Sequence, residues 1–450
     1  MRVTAKLIGV GLLLMAAVPV WSQMTDRDAV EYSVNREDRM LTPPPVSGQA
    51  YPVALGSEER ANYLHYGLTF SSGYSDNVLG LASGHPVSDI NYSVGPTIGL
   101  NKTTARSQLE LIYAPGFTFY QRTSAFNEQD QNAALRFQYR LSPHVTFSAG
   151  DRFQKTSNVL NQVDLVSSPV FGGAQSPNNS IITPIADRLA NFGNVGITYQ
   201  YSRNDMIGAG AVLTNLHYPD TNEAFGVWDS SSESGSFFYT HRLSSRHYLG
   251  ATYEYAKLMS YPSGVNDETQ THSVYLFYTV YVTRRFSMSF FGGPQLSDTA
   301  QPVVASLNIP AYTARTWAPA GGGSLDFEGR FVSAALSYSH SVSAGGGLIG
   351  AVRLDNANAN IRLKFTRSLS ATVSGFYANN NVLGSAVGLT NGHSVSGSAA
   401  LERTFGEHFG ARLGYTRLHQ NYDIPVIAGT PDTNREYISF SYTFARPLGR

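Results

Sequence analysis

The side chains with the most chemistry to offer in this sequence are charged groups spaced two residues apart. Arg136, Gln138 and Arg140 alternate with Leu135, Phe137 and Tyr139. Arg152 and Gln154 continue the phase of Thr146, Ser148 and Gly150, Arg362 and Lys364 alternate with Ile361, Leu363 and Phe365, and Arg412 follows the same logic. Glu110, Glu254, Asp326, Glu328 and Glu402 are the acidic counterparts. A period of two puts such residues on one face of an extended strand and their apolar neighbours on the other. That face can order water and ions or meet a polar solute. Covalent chemistry asks for tighter constellations, and these are missing from the sequence. The 11 His are scattered, with no His-Glu-x-x-His and no dense carboxylate cluster. Gly392-His393-Ser394-Val395-Ser396-Gly397 has the wrong spacing for a nucleophile elbow. Gly321-Gly322-Gly323 and Gly345-Gly346-Gly347 are not followed by Lys-Ser/Thr, so they read as bends or loops and not as phosphate cradles. The expectation is a protein that is not an enzyme, with no catalytic residue, no metal and no cofactor.

The elements that must carry these residues are strands. Alternation dominates from Ala61 to Arg446. Leu64, Tyr66, Leu68 and Phe70 share one face; Ile90, Tyr92, Val94, Pro96, Ile98 and Leu100 alternate with Asn91, Ser93, Gly95, Thr97, Gly99 and Asn101. About 18 such segments follow one another, with 16 to 18 as the working range. Their joints alternate in length. Asn101–Thr104, Leu141–His144, Ser202–Asp205, Leu243–Arg246, Thr283–Arg285, Glu328–Arg330, Thr366–Ser368 and Phe405–His408 are short. Gly-, Asn-, Ser- and Pro-rich stretches lie between them, around 75–88, 157–191, 218–231, 296–312, 343–353 and 422–433, with briefer ones near 122–128, 261–267 and 383–390. Strict alternation collects the short turns on one rim, as in barrels that span a membrane. The fold class is therefore all-β, a transmembrane antiparallel up-and-down β-barrel. Charges on its lipid face would cost roughly 2–4 kcal/mol for Arg or Lys at the midplane, so the charged phase is assigned to the lumen.

Composition agrees. Charged residues make up 14%, against roughly 25% in ordinary soluble domains, and 32 Lys+Arg balance 32 Asp+Glu, so no basic footprint for nucleic acid exists. Arg2 and Lys6 precede an apolar run from Leu7 to Val20, and Val20 and Ser22 are small residues before a cut at Gln23. Residues 1–22 read as a signal peptide. Residues 23–60, charged and then proline-rich, read as a flexible periplasmic arm, with a small plug as the alternative. Residues 61–450 read as the barrel. There is no cysteine, so the exported chain uses no disulfide and must be held by another closed network.

The signal peptide, the alternating strands and the closing Tyr437-Ile438-Ser439-Phe440-Ser441-Tyr442-Thr443-Phe444 resemble bacterial outer-membrane β-barrel proteins of porin type, among them the β-barrel porins found near exopolysaccharide genes. The resemblance spans nearly the whole mature chain and is one of pattern. It implies insertion into the cell outer membrane of a Gram-negative bacterium, among lipid and lipopolysaccharide, with both termini in the periplasm. It implies that Tyr442 and Phe444 are read by the barrel-assembly machinery, although Ala445 to Arg450 follow where such barrels usually end on the aromatic. A homotrimer is an oligomeric state it allows.

Passive diffusion of small polar solutes, sugars or anions, is the functional expectation. The alternatives are a barrel that exports or anchors an exopolysaccharide, and a structural or adhesive barrel without transport. The pore-lining set expected is Arg136, Arg140, Arg152, Arg362, Lys364, Arg412, Glu110, Asp326 and Glu328. The longest joint, roughly Thr156 to Ala190, is the third long one; folded inward as in general porins, it would bring Asp164 and Asp187 to face Arg136 and Arg152 as a constriction.

Overall fold

A computed structural model describes residues 62–80, 86–156, 187–220, 227–305, 310–383, 391–422 and 432–448. The segments read as signal peptide and N-terminal arm, Asp164, and most of the third long joint lie outside these residues.

The strands, in chain order, are β1 (Tyr63–Ser75), β2 (Asp89–Thr103), β3 (Ser107–Tyr120), β4 (Glu128–Arg140), β5 (Val145–Thr156), β6 (Arg188–Gln200), β7 (Asp205–His217), β8 (Ser230–Arg242) and β9 (His247–Ser260). They continue with β10 (Asp267–Tyr281), β11 (Phe286–Gln301), β12 (Tyr312–Glu328), β13 (Val332–Ala344), β14 (Ala351–Lys364), β15 (Leu369–Val382), β16 (Gly392–Phe405), β17 (Phe409–Tyr422) and β18 (Asp432–Pro447). Each pairs antiparallel with its neighbours in sequence, and β1 pairs with β18, so the 18 strands close into an up-and-down barrel. The segmentation read from the sequence holds along the whole described chain. Its boundaries differ most near 296–312, where β11 runs on to Gln301 and β12 already begins at Tyr312.

Closure leaves no free sheet edge at the seam, which a strand-built membrane protein requires. Six of the eight short turns share one device. Thr104, Ser142, Ser202, Ser244, Thr283 and Thr366 each accept, on the side-chain oxygen, the backbone N–H two residues on, from Arg106, His144, Asn204, Arg246, Arg285 and Ser368. A hydroxyl that satisfies the turn's own backbone is why Ser and Thr recur at these joints. The turn between β16 and β17 instead uses Gly406 at φ 64.

Residues opposite one another in an antiparallel ladder share a face. One face carries Tyr66, Leu68 and Phe70 on β1, Ile98 on β2, Leu111 on β3, Val195 and Ile197 on β6, Leu276 on β10, and Ile438 and Phe440 on β18, all exposed. This outward apolar belt is ringed by aromatics at the short-turn rim, where Arg330 lies over the Phe331 ring and Arg403 over the Phe405 ring. Farther up, outward tyrosines donate their hydroxyls to polar groups on the next strand: Tyr113 to Gln131, Tyr338 to Asp355 and Tyr415 to Asn434. Such rings sit where a bilayer changes from hydrocarbon to headgroup. The barrel is built to span a membrane.

Candidate pore lining

The inward face divides into two walls. From β13 round through the seam to β6 it is mostly small and polar: Ser337, Ser339, Asn356, Asn358 and Asn360 on β13 and β14, Ser374 bonded to Ser398 across β15 and β16, Ser93 bonded to Thr118 across β2 and β3. The charged residues expected in the pore fall on this side or at its edge. Arg136 and Glu110 are opposite in register and form an ion pair of 3.2 Å. Arg412 is opposite Glu402 and lies over the Tyr437 ring, 6.0 Å from its centroid. Arg152 shares the phase of Gln154, and Arg140 closes β4 at the short-turn end. Arg362 and Lys364 on β14 face Thr372 and Ser370 on β15 and are exposed. Asp326 and Glu328 end β12 on the inward phase, opposite Ala335 and Ser333. Exposure of inward charges near the short turns means that this end of the lumen holds solvent.

From β7 to β12 the inward face is closely packed, with an aromatic cluster set among buried Ser and Thr such as Thr252, Thr271, Ser273 and Thr279. Met206, Phe238, Tyr248, Tyr275, Phe277, Phe291 and Ala320 form one buried cluster. Three of these rings lie on glycines of the adjoining strand. A Cβ on Gly208 would sit 2.3 Å from the Phe238 ring, one on Gly250 2.3 Å from Phe277, and one on Gly322 2.7 Å from Phe291. Phe238, Phe277 and Phe291 are the register partners of those glycines. The same ring-on-glycine pairing recurs at Tyr422 on Gly392 and Tyr437 on Gly414. Glu254, read from the sequence as a lumenal acid, is inward and buried on this side. The sequence reading put apolar residues outside throughout and missed this wall. Its trace was visible where neighbouring positions are both apolar, as in Phe237-Phe238, Phe290-Phe291 and Tyr275-Leu276-Phe277.

The lumen narrows at the long-loop end. The ladder between β12 and β13 runs from Glu328↔Ser333 only to Gly321↔His340, so Tyr312–Ala320 have no ladder partner on the β13 side among the described residues. The upper ends of β13 and β14 cross the lumen instead. Val342 and Ala351 pack on Ala256 and Leu258 of β9, while Val352 and Leu354 pack with Leu216 of β7 and Tyr422 of β17. The connection between β13 and β14 is docked by two backbone donors: Trp228 N to Gly347 O at 2.8 Å, and Gly350 N to Ser260 Oγ at 2.8 Å. Gly346, Gly347 and Gly350 take positive φ values of 64, 114 and 79 there, a backbone that other residues adopt only with strain. The Gly345-Gly346-Gly347 run thus belongs to a connection that reaches across the lumen, the seventh long one.

Of the residues assigned to a constriction in the third joint, Asp187 is described. Its carboxylate pairs with Lys155 Nζ at 3.2 Å, on the outward phase of β5, away from Arg136 and Arg152. Other charges face outward near the same rim, also in pairs: Lys257 with Glu268 at 3.0 Å and Arg315 with Asp298 at 3.3 Å. Asp151 is outward too and accepts a hydrogen bond from Asn191 Nδ2 at 3.1 Å. Outward charges therefore occur toward both rims, with Asp205 and Arg403 at the short-turn end. Tyr442 and Phe444 are outward and exposed, opposite Leu68 and Tyr66 across the seam. Among the described residues no group of three His, Cys, Asp or Glu side chains could hold a metal ion.

No family model matches the chain, and no curated protein does. Solved structures with some likeness to it include OccAB4 of Acinetobacter baumannii, at 11% identity over 86% of this chain and 99% of that one, with a TM-score of 0.42. A second is Pseudomonas aeruginosa OccK2 (OpdF) in complex with glucuronate, at 11% identity, 85% and 98% coverage and a TM-score of 0.43. A third is Pseudomonas aeruginosa OpdQ, at 12% identity, 86% and 98% coverage and a TM-score of 0.43.

Proposed function

We propose that this barrel is a passive, non-enzymatic channel for small polar solutes in the outer membrane of a Gram-negative cell. The observation that carries the reading is the exposed, charged inward face at the short-turn end, with Arg136, Arg362, Lys364 and Glu328 accessible to water inside a closed 18-stranded wall. Barrels of 16–18 strands enclose enough width for an aqueous path, which a barrel of about eight does not. The polar wall supplies hydroxyls and amides that replace the hydration of a sugar or small anion. Arg136, Arg140, Arg152, Arg362, Lys364 and Arg412, set against Glu110, Asp326 and Glu328, bias the path electrically. By the rule that short turns are periplasmic, the termini lie in the periplasm and the charged outward rim meets lipopolysaccharide. Tyr442 and Phe444 serve as the recognition strand for the assembly machinery.

Single-channel recording tests the reading: the mature chain, refolded in detergent and inserted into a planar bilayer, gives discrete current steps with an ion preference. A demonstrably folded barrel that stays silent under all conditions would turn the assignment to polymer export, anchoring or a structural role.

A further inference from the structure

The parting of β12 from β13 and the crossing of the lumen are two sides of one event, and the sequence of the crossing segment does not match the place it occupies. Ser337-Tyr338-Ser339-His340-Ser341-Val342-Ser343-Ala344 keeps one alternation without a break. Up to His340 this is wall alternation, with Ser inside and larger residues outside. Ser341 to Ala344 carry the same pattern, yet Val342 lies buried against Ala256 and Leu258 of the facing wall. Continuing the Gly321↔His340 register would set Ala320 opposite Ser341, Pro319 opposite Val342, Ala318 opposite Ser343 and Trp317 opposite Ala344. In that position the serines would face the lumen, and Val342 and Ala344 would join Pro319 and Trp317 on the outside.

Two groups explain why neither arrangement is locked. Glu328 N bonds to Arg285 O on the β11 side, so even-numbered amides of β12 point to β11 and odd-numbered ones to β13. Pro319 stands at the first odd position beyond the paired region and has no N–H to give to Val342. Val342 N in turn donates to Gln295 Oε1 of β11 at 3.0 Å, in place of the bond to Pro319 O that the wall ladder would supply. The free edge of Tyr312–Ala320 is the reverse problem: a row of backbone groups shaped for a strand. The complement present in the chain is Ser341–Ala344.

We propose that the upper end of the β13–β14 hairpin is the gate of the channel, moving between the lumen-docked position, which narrows the long-loop end, and a wall position in which Ser341–Ala344 extend the ladder along β12. The proposal rests on the channel reading above and names its regulation. Docking is held by the buried contacts of Val342, Val352 and Leu354 and by the two bonds to Gly347 and Gly350. The wall position exchanges those for ladder pairing, short of one bond at Pro319, and it leaves the lumen wider.

The chain has no cysteine, so paired cysteines report position without interference. Ala318→Cys with Ser343→Cys places thiols at the predicted non-hydrogen-bonded wall pair, and Val342→Cys with Leu258→Cys places them at the docked contact. Each variant is refolded, oxidised, checked for its cross-link by gel mobility, and recorded in a planar bilayer before and after reduction. The expected result is that both cross-links form, that the wall-locked channel conducts at least twofold better than the lumen-locked one, and that reductant abolishes the difference. A conducting channel in which the Ala318/Ser343 cross-link never forms overturns the gate alone, as does equal conductance in the two locked states. Cross-links in both variants with no current from either overturn the channel reading, and the gate with it.

Discussion

The two lumenal walls are made by the same antiparallel ladder and the same alternation, yet they fill the inward position to different degrees. Between β7 and β12 that position carries the buried rings Phe238, Tyr275, Phe277 and Phe291, seated on glycines or on one another, among buried Ser and Thr. From β13 through the seam to β6 it holds mainly Ser, Thr, Asn and a sparse set of charges, with Tyr422 and Tyr437 seated on Gly392 and Gly414. On the first side a ring fills the volume that the partner glycine vacates, so the sheet gains apolar burial without widening. On the second side hydroxyls and amides leave space for water and bond to each other across strands. One wall stiffens the barrel while the other leaves a polar surface toward the lumen. A closed sheet can afford this asymmetry because its ladder hydrogen bonds do not depend on which side chains point inward.

Phe277→Ala breaks the contrast most severely: it empties a ring from the buried cluster and is expected to destabilise the barrel by about 3–5 kcal/mol, read as the midpoint of urea unfolding in lipid vesicles. Gly250→Ala comes next, because its new Cβ would meet the Phe277 ring at 2.3 Å and Tyr239 O at 2.4 Å. A loss of about 1–3 kcal/mol is expected, of which adding Phe277→Leu relieves only the share due to the ring, since the Tyr239 carbonyl stays in place. On the polar wall, Arg136→Glu leaves unfolding nearly unchanged but sets two carboxylates opposite each other with Glu110; the reversal potential in a salt gradient should shift toward cation preference. An unmoved reversal potential would remove Arg136 from the ion path. Gly95→Ala, whose Cβ has Pro115 O at 3.6 Å as its nearest neighbour, should change stability by less than about 0.5 kcal/mol. If it costs as much as Gly250→Ala, the two walls are packed alike and the comparison fails.

Most of the architecture could be read from the chain because it depends on local periodicity. Eighteen alternating segments, short joints most of which carry Ser or Thr, and the aromatic closing strand are each properties of a few consecutive residues. The phase of the charged residues was readable for the same reason, since Arg136, Arg362 and Arg412 alternate with apolar neighbours whose outward placement is set by lipid. The aromatic wall was harder, because Phe290-Phe291 presents apolar residues on both phases and periodicity alone cannot say which one a glycine across the ladder will receive. The parting at Gly321↔His340 was not readable: Ser341–Ala344 alternates like any wall strand, and only the pairing of whole strands reveals that it has left the wall. Pro319 was the available hint, and its meaning depends on knowing which edge its missing amide faces. The bond between Lys155 and Asp187 was likewise hidden, for it fixes a loop residue to the outer side of the wall.

The seam has a consequence for how the molecule comes into being. Tyr63 pairs with Pro447 and Ser75 with Arg435, so the ladder that closes the barrel joins the first strand to the last. All the other ladders link strands adjacent in sequence and can form in order of synthesis. The seam must wait for the whole chain, and until then β1 and β17 each present an open edge to any strand nearby. Contacts so distant in sequence are the slow ones to form. Tyr442 and Phe444 lie in this last ladder, opposite Leu68 and Tyr66, so these aromatics belong to the edge that stays open longest. A chain cut before β18 would be expected to stall as an open sheet and be degraded.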